Sequence, residues 1–165
     1  MRNSVLTLAA AALALAACGQ KQSQPEQPGQ AALPASAPAQ ATPDQVKALV
    51  AALPAPYSAG DVTNGKAKFT ECAACHTTAQ GGPNMTGPNL YGVFGRKAAS
   101  QPGFAYSDAL KAAGWTWDAP HIDTWITDPR AMLPGTKMTF VGMRDPKDRS
   151  DLIAYLKVAT SPLPQ

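Results

Sequence analysis

The sequence predicts a small all-α domain behind a long non-globular leader, and three observations favour this fold class. No stretch alternates apolar and polar residues as a half-buried β-strand does. Helix-start signals recur instead, each a capping Thr, Asp or Ser followed by proline or by apolar residues at helical spacing. Glycine and proline are frequent, with 13 Gly and 16 Pro in 165 residues, and they separate the predicted helices by long loops. A domain with so little regular structure needs a bound group at the centre of its packing.

The first 17 residues have the features of an export signal. Arg2 supplies a positive charge, and residues 5–17 are apolar but too few to cross a bilayer, which takes roughly 20 residues in a helix. The four residues ending in Cys18 are similar to the cleavage box of bacterial lipoproteins, whose cysteine becomes the acylated first residue. We therefore expect removal of residues 1–17 and lipidation of Cys18. The alternative is an ordinary signal peptide that leaves Cys18 as a spare thiol.

Residues 18–42 are expected to form a disordered tether. Their Gln, Pro and Ala residues bury too little apolar surface to offset the entropy of ordering. Thr42, Pro43 and Gln45 then predict a helix start, with a threonine cap, proline at the first position and glutamine three residues after the cap. Four apolar residues follow at helical spacing: Val46, Leu49, Val50 and Leu53. Residues 43–59 are therefore expected to form a short amphipathic helix and a connector. Packing against the main domain is the favoured arrangement, and docking on a partner or on lipid are the alternatives.

The main domain is expected to span residues 60–165 and to hold the other helices. Their predicted starts are Asp61, Ser107, Asp118 and Asp145. The first leads into Cys72, the second ends at Gly114, and the third stops at Pro129. Leu152, Ile153 and Leu156 form the apolar face of the last helix.

Composition excludes several classes of protein. The formal charge of +3 is too small for a nucleic-acid binder, and lysine and arginine form no basic stripe. Three cysteines allow at most one disulfide, which rules out a multi-bridge scaffold. With two histidines, they also rule out a protein with several haem or zinc sites.

The segment Cys72-Ala73-Ala74-Cys75-His76 is the strongest functional signal in the chain. C-x-x-C-H is the attachment sequence for c-type haem. Two thiols one helical turn apart can each add to a haem vinyl group, and the adjoining imidazole then binds the iron as proximal ligand. The attachment needs reduced thiols outside the cytoplasm, which agrees with the export signal.

A zinc site and a thiol–disulfide redox pair are the two alternatives for this segment. Zinc would need a fourth ligand, for which only His121 and scattered aspartates are available, and adjacent Cys75 and His76 fit one tetrahedron poorly. A redox pair would need no histidine and normally lies in a βαβ pattern, which the sequence lacks. We therefore expect one covalently bound haem c.

The opposite face of the iron needs a second ligand, and the residues alone leave five candidates open. These are Met85, Met132, Met138, Met143 and His121. Met138 follows Pro134 and Gly135 in a turn-rich stretch that would bring its side chain in from a loop. Because methionine more often fills a hydrophobic core, this position is weak evidence by itself.

From Gly60 to Thr160 the sequence resembles class I cytochromes c of the mitochondrial type. The shared motifs run in the order of that family. They are Gly60-Asp61-Val62, Gly65, Phe69, Cys72-Ala73-Ala74-Cys75-His76, Thr86-Gly87-Pro88-Asn89-Leu90, Phe94-Gly95-Arg96-Lys97, Pro102-Gly103-Phe104, Tyr106-Ser107-Asp108, Trp117, Pro134 to Met138 and Leu152 to Lys157. The resemblance implies the class I cytochrome c fold, in which helices and long loops wrap around one covalently bound haem c.

The resemblance also implies roles for individual residues. It makes Met138 the sixth ligand, and it makes the carbonyl of Pro88 the acceptor of a hydrogen bond from His76. The residues that match those around the haem propionates are Arg96, Tyr106 and Trp117. The residues that match those flanking the methionine ligand and shielding the haem edge are Thr136 and Phe140.

Two positions depart from the family pattern. Trp125 stands where the family usually has a tyrosine beneath the methionine sulfur, and Leu110 stands where many members have an asparagine. An indole donates a hydrogen bond but cannot accept one, and leucine does neither. The polar network of that side of the pocket is therefore not implied for this chain.

The expected function is that of a lipid-anchored electron carrier on the periplasmic face of a bacterial membrane, the inner membrane in preference to the outer. The resemblance implies a quinol–cytochrome c reductase or another periplasmic donor, a terminal oxidase or reductase as acceptor, and a monomer that is not an enzyme. One alternative is a fixed cytochrome subunit of an oxidase or dehydrogenase, in which the helix after the tether docks on the complex. Another is a small haem peroxidase or gas-binding protein with an open or labile sixth position.

Overall fold

A computed structural model describes residues 41–163 of the protein. The predicted signal peptide, Cys18 and the predicted tether up to residue 40 lie outside the described residues. The α-helices of the described part are α1 (Pro43–Ala51), α2 (Val62–Lys68), α3 (Thr70–Ala73), α4 (Asp108–Ala112), α5 (Ala119–Thr127), α6 (Pro129–Met132) and α7 (Pro146–Thr160). Between residues 41 and 163 the only β pairing is an isolated antiparallel bridge of Lys97 with Thr116. The predicted all-α class is therefore confirmed, and none of the helices in this range is long and apolar enough to cross a membrane.

The longer helices begin at the capping residues that the sequence predicts. In each case the side-chain oxygen of the cap accepts a hydrogen bond from a backbone N–H of the first turn, which would otherwise lack a partner. These caps are Thr42 for α1, Asp61 for α2, Ser107 for α4, Asp118 for α5 and Asp145 for α7. At α1 the predicted capping box is complete, because the Gln45 side chain also accepts from the Thr42 N–H at 2.9 Å.

Two local features differ from the expected helices. The helix after Asp61 is interrupted at Phe69, where α2 ends and α3 begins. Asp128 and Pro129 stop α5 as expected, but the same pair starts the one-turn helix α6, because the Asp128 carboxylate accepts hydrogen bonds from the Arg130 and Ala131 N–H groups. An Asp-Pro pair is thus both a stop and a start signal.

The crossing of α2 and α7 forms the centre of the helical packing. Leu152 and Ile153 of α7 are fully buried. Gly65 permits the close approach of the two helices, since a Cβ atom there would lie 2.8 Å from the Cβ of Tyr155. The ring of Phe69 packs on Tyr155 with centroids 5.4 Å apart. This crossing fixes the start of the segment that leads into Cys72.

Helix α1 and the 3₁₀ turn after it (Tyr57–Ala59) pack against α7. Val50, Leu53 and Tyr57 are buried in the same hydrophobic cluster as the side chains of α7. Arg149 donates to the carboxylate of Asp123 on α5 at 2.7 Å. Burial is the main cause that raises the pKa of Tyr57, and the interaction of its phenol with the Asp123 carboxylate is the second cause. The segment before residue 60 is thereby joined to the domain by both apolar and polar contacts.

Candidate haem site

The C-x-x-C-H segment forms a single helical turn at the end of α3. The N–H groups of Cys75 and His76 both donate to the carbonyl of Cys72, at 3.0 and 2.9 Å. Both cysteines are free thiols and partly buried. Burial, reinforced by Glu71 and by Cys75, raises the pKa of Cys72 to about 11. Redox-active C-x-x-C pairs have lowered pKa values, so the environment of Cys72 is unlike theirs.

The imidazole of His76 is fixed from one side only. Its Nδ1 lies 2.8 Å from the carbonyl oxygen of Pro88, and since a carbonyl only accepts, Nδ1 carries the proton and Nε2 keeps a free lone pair. Gly87 lies against the ring, because a Cβ atom there would be 2.7 Å from both ring nitrogens. Burial lowers the pKa of His76 more than the bond to Pro88 raises it, which favours the neutral imidazole that metals bind.

Met138 is held in the loop between α6 and α7. Its N–H donates to Thr136 Oγ1 at 3.2 Å, and the Thr136 N–H donates to the carbonyl of Leu133 at 3.1 Å. From the opposite side, Nε1 of Trp125 on α5 donates to the sulfur of Met138 at 3.0 Å. The indole at this position therefore makes the contact with the methionine sulfur directly. Leu110 is buried in the hydrophobic cluster.

Three of the predicted pocket residues meet around one half-buried cation. The Arg96 guanidinium donates to the carbonyls of Asn89 and Tyr91 at 3.0 and 3.1 Å, and to the side chain of Gln101. Burial lowers its pKa, and within the described chain it has no carboxylate partner. Trp117 pairs with it through the backbone, since the Trp117 N–H donates to the Arg96 carbonyl at 2.9 Å.

Tyr106 completes this cluster. Its phenol oxygen accepts a hydrogen bond from the Gln101 N–H at 3.3 Å, which leaves the phenol O–H as a donor to another group. Burial raises the pKa of Tyr106, so the phenol stays protonated. The cluster thus offers a guanidinium and a phenol to an anion that residues 41–163 do not supply.

The other candidates for the sixth ligand lie in different surroundings. Met85 is 46% exposed, and Met143 is buried with its N–H donating to the carbonyl of Ile126. Met132 lies in α6, partly buried. At the surface, Nδ1 of His121 donates a hydrogen bond to the Asp118 carboxylate, 2.7 Å away. Phe140, expected to shield the haem edge, is partly buried against the hydrophobic cluster.

Sequence reasoning missed two residues of this region. Asn89 is buried, and its amide donates to Thr77 Oγ1 at 2.7 Å and to the Ala79 carbonyl at 2.9 Å, which braces the loop after His76. Trp115 packs edge-on against Trp117, and its Nε1 is buried without a hydrogen-bond partner in the part of the chain that the structure describes. The W-x-W spacing was a usable signal, since residues two apart in an extended segment lie on the same side.

The donor set fits a covalently attached haem better than a bare metal ion. The described residues bring together no group of three or more His, Cys, Asp or Glu side chains that would hold such an ion. They do provide two free thiols beside an oriented imidazole, a methionine sulfur, and a half-buried guanidinium without an anion. Haem c meets each of these needs through its vinyl groups, its iron and its propionates. The fold and the site together define a c-type cytochrome.

Comparison with known proteins defines the family. The profile of the Cytochrome c family matches residues 62–160. Cytochrome c2 of Rhodomicrobium vannielii is 46% identical over 100 residues, covering 61% of this chain and 80% of that protein. Cytochrome c of Chlamydomonas reinhardtii is 46% identical over 104 residues, covering 62% of this chain and 93% of that protein. The solved structure of cytochrome cH from Methylobacterium extorquens matches with a TM-score of 0.56 and 47% identity, covering 59% of this chain and 98% of that one.

The chain belongs to the cytochrome c family, as a class I member with one covalently bound haem c. It is an electron carrier, like the cytochromes c that it matches.

Proposed function

We propose that this protein carries single electrons on the periplasmic side of a bacterial membrane, to which a lipid on Cys18 anchors it. In this proposal Cys72 and Cys75 form the thioether bonds, and His76 and Met138 bind the iron. When bound, the haem supplies the electron-transfer chemistry by alternating between its ferrous and ferric states. The observation that carries the proposal is the orientation of His76, whose Nδ1 is tied to the carbonyl of Pro88 at 2.8 Å.

The role of His76 follows from its two ring nitrogens. The Pro88 carbonyl accepts a hydrogen bond from the Nδ1–H group, so the tautomer with a free lone pair on Nε2 is the stable one. A hydrogen bond from Nδ1 to a carbonyl also makes the imidazole a stronger donor to a metal. Gly87 provides the space that the ring occupies, since any side chain there would overlap it.

The role of Met138 rests on its sulfur and on the residues that hold it. A thioether ligand stabilises the ferrous state and gives a high reduction potential. Thr136 fixes the backbone of Met138, and Trp125 donates to its sulfur at 3.0 Å. Together these contacts support a ligand that stays in place in both oxidation states, so that little rearrangement accompanies electron transfer.

The roles of Arg96, Tyr106 and Trp117 follow from the positive charge of the Arg96 guanidinium, which no carboxylate of the described residues balances. Trp117 lies beside it, since its N–H donates to the Arg96 carbonyl. A half-buried guanidinium without an anion is costly, and a carboxylate beside it would remove that cost. The two haem propionates are such carboxylates. The phenol O–H of Tyr106 is a further donor, because its oxygen already accepts from the backbone of Gln101.

The proposed partners are those of a tethered respiratory carrier. A quinol–cytochrome c reductase or another periplasmic donor would supply electrons, and a terminal oxidase or reductase would accept them from the monomeric carrier. The sequence and composition of residues 18–42, which begin at Cys18, support the lipid anchor and the tether. A tether confines the domain near the membrane and raises its effective concentration there, so weak and brief contacts with partners suffice.

The test of the ligands is spectroscopic. The full chain, expressed in a host that attaches haem c, is expected to show a haem c spectrum and the weak far-red band of a methionine sulfur bound to ferric iron. Met138→Ala should abolish that band and let the ferrous protein bind carbon monoxide, whereas Met85→Ala at an exposed methionine should change neither. Ready binding of carbon monoxide to the unmodified protein would refute the His/Met ligation and support a gas-binding protein or peroxidase.

The test of the anchor is fractionation. The unmodified protein is expected in the membrane fraction, and Cys18→Ser should move it to the soluble fraction with its spectrum intact. Gentle detergent extraction should release it as a free monomer. Stoichiometric co-purification with an oxidase or dehydrogenase would instead identify a fixed subunit.

A further inference from the structure

We propose that a continuous row of side chains, His121, Trp115, Trp117, Trp125 and Met138, is a second route for electron exchange between the haem and the protein surface, opening at His121. It rests on the proposed ligation of the iron by Met138. The electron partner would contact the exposed edge of the His121 imidazole.

The row has no break between its two ends. His121 stacks on Trp115 at 6.0 Å between centroids and 22° between planes. Trp115 meets Trp117 edge-on at 5.6 Å, and Trp117 meets Trp125 in the same way at 5.5 Å. All three separations lie within the range of direct aromatic contact. The last link is the hydrogen bond from Trp125 to the sulfur of Met138 at 3.0 Å. Electron tunnelling falls off more slowly through such contacts than across empty gaps.

The outer end of the row is accessible. The His121 side chain is 39% exposed, and its Nδ1 is engaged by Asp118 at 2.7 Å. The other ring nitrogen is therefore the one available to an approaching partner. Trp117 and Trp125 are buried, whereas His121 and Trp115 are partly exposed, so the row meets the solvent at its His121 end.

Trp115 is the link between the surface and the buried rings. It stacks on His121 on one side and meets Trp117 edge-on on the other. An indole is a better electron relay than a phenyl ring, because its highest filled orbital lies closer in energy to that of the transferred electron.

The proposed step moves one electron and nothing else. A donor that binds at His121 loses one electron, and the ferric haem gains this electron and becomes ferrous. No bond is made or broken and no proton moves. Transfer in the reverse direction oxidises the ferrous haem and reduces an acceptor at the same place.

The experiment uses His121 as an attachment point. The chain has two histidines, and the other is His76, so a photoactive ruthenium bipyridine complex can be coordinated to His121 alone in the holoprotein. A light pulse then starts electron transfer between ruthenium and haem, and its rate is read from the haem absorbance. Trp115→Leu is expected to slow this rate by more than an order of magnitude, and Trp115→Phe to slow it less. The matched control, Phe94→Leu, removes a partly buried ring outside the row and should leave the rate unchanged.

An unchanged rate in Trp115→Leu, or an equal loss in Phe94→Leu, would overturn the proposal. If Trp115→Leu does not fold, Trp115→Phe takes its place. An electron-transfer rate in Trp115→Phe equal to that of the unmodified protein would then overturn the proposal. Failure of the iron ligation is separate and visible beforehand, as a missing sulfur-to-iron band and carbon monoxide binding in the unlabelled protein.

Discussion

Replacing Trp125 by phenylalanine tests how this chain controls its haem. The substitution keeps an aromatic ring at a buried position and removes the N–H that donates to the sulfur of Met138 at 3.0 Å. Under the proposed ligation by Met138, a hydrogen bond to its sulfur draws electron density away from the sulfur and weakens its donation to iron. The ferric state needs that donation more than the ferrous state does. Without the bond, the ferric state is stabilised, and the reduction potential of the holoprotein should fall.

The size of the change follows from the strength of a single hydrogen bond. The net contribution of a typical hydrogen bond is about 0.5–1.5 kcal/mol. If this hydrogen-bond free energy stabilises one oxidation state only, the shift in reduction potential is roughly 20–60 mV, since a tenfold change in a one-electron equilibrium corresponds to about 59 mV. A shift within this range and downward is the expected outcome.

The assay is a spectroelectrochemical titration of Trp125→Phe beside the unmodified protein. Trp115→Phe is the matched control, because it is also a tryptophan-to-phenylalanine substitution in the same aromatic cluster. It leaves the hydrogen bond from Trp125 to the Met138 sulfur in place. Its potential should not move. An unchanged or raised potential in Trp125→Phe, with the sulfur-to-iron band still present, would refute the reasoning.

Three other substitutions test the surroundings of the site. Gly87→Ala should impair haem attachment or displace the proximal ligand, seen as an altered holoprotein yield and spectrum, because the new Cβ would lie 2.7 Å from both ring nitrogens of His76. Tyr57→Phe should lower the free energy of unfolding by about 1 kcal/mol in guanidinium titrations without changing the spectrum, because it removes the interaction of the buried phenol with the Asp123 carboxylate. Asp151→Asn should cost about 2 kcal/mol at neutral pH, because the buried carboxylate accepts three hydrogen bonds. That cost should vanish in acid: the partners of Asp151 hold its pKa below the ordinary value against the opposing effect of burial, so its contribution is complete above about pH 5 and is lost as the pH falls through the folded-state pKa.

Each of these has an outcome that contradicts it. A normal spectrum and yield in Gly87→Ala would show that the imidazole has room to shift. An unchanged stability in Tyr57→Phe would mean that water replaces the lost contact. For Asp151→Asn, a stability difference that persists unchanged down to pH 3 would show that the charge of the carboxylate is irrelevant.

Local signals predicted the helices well, because a cap and its first turn are neighbours in the sequence. Thr42, Asp61 and Asp145 cap helices as expected, since each needs only the N–H groups two or three residues ahead. The C-x-x-C-H segment is equally local. The contact of Trp125 with Met138 is different, because it depends on how a helix and a loop pack, and an indole could equally have turned its N–H elsewhere. The residue type indicated only what the group is able to do.

Three side chains of the predicted site share one property: the protein engages one of their polar atoms or lone pairs and leaves another free. Nδ1 of His76 donates to the Pro88 carbonyl, which leaves Nε2 free, and the phenol oxygen of Tyr106 accepts from the backbone, which leaves its O–H free. The sulfur of Met138 accepts from Trp125 through one lone pair, which leaves the other free. Under the proposed ligation, a ligand that the protein holds in this way would not turn away when the iron changes its charge. The same groups would then serve the ferrous and the ferric state without rearrangement, which is the property that an electron carrier requires.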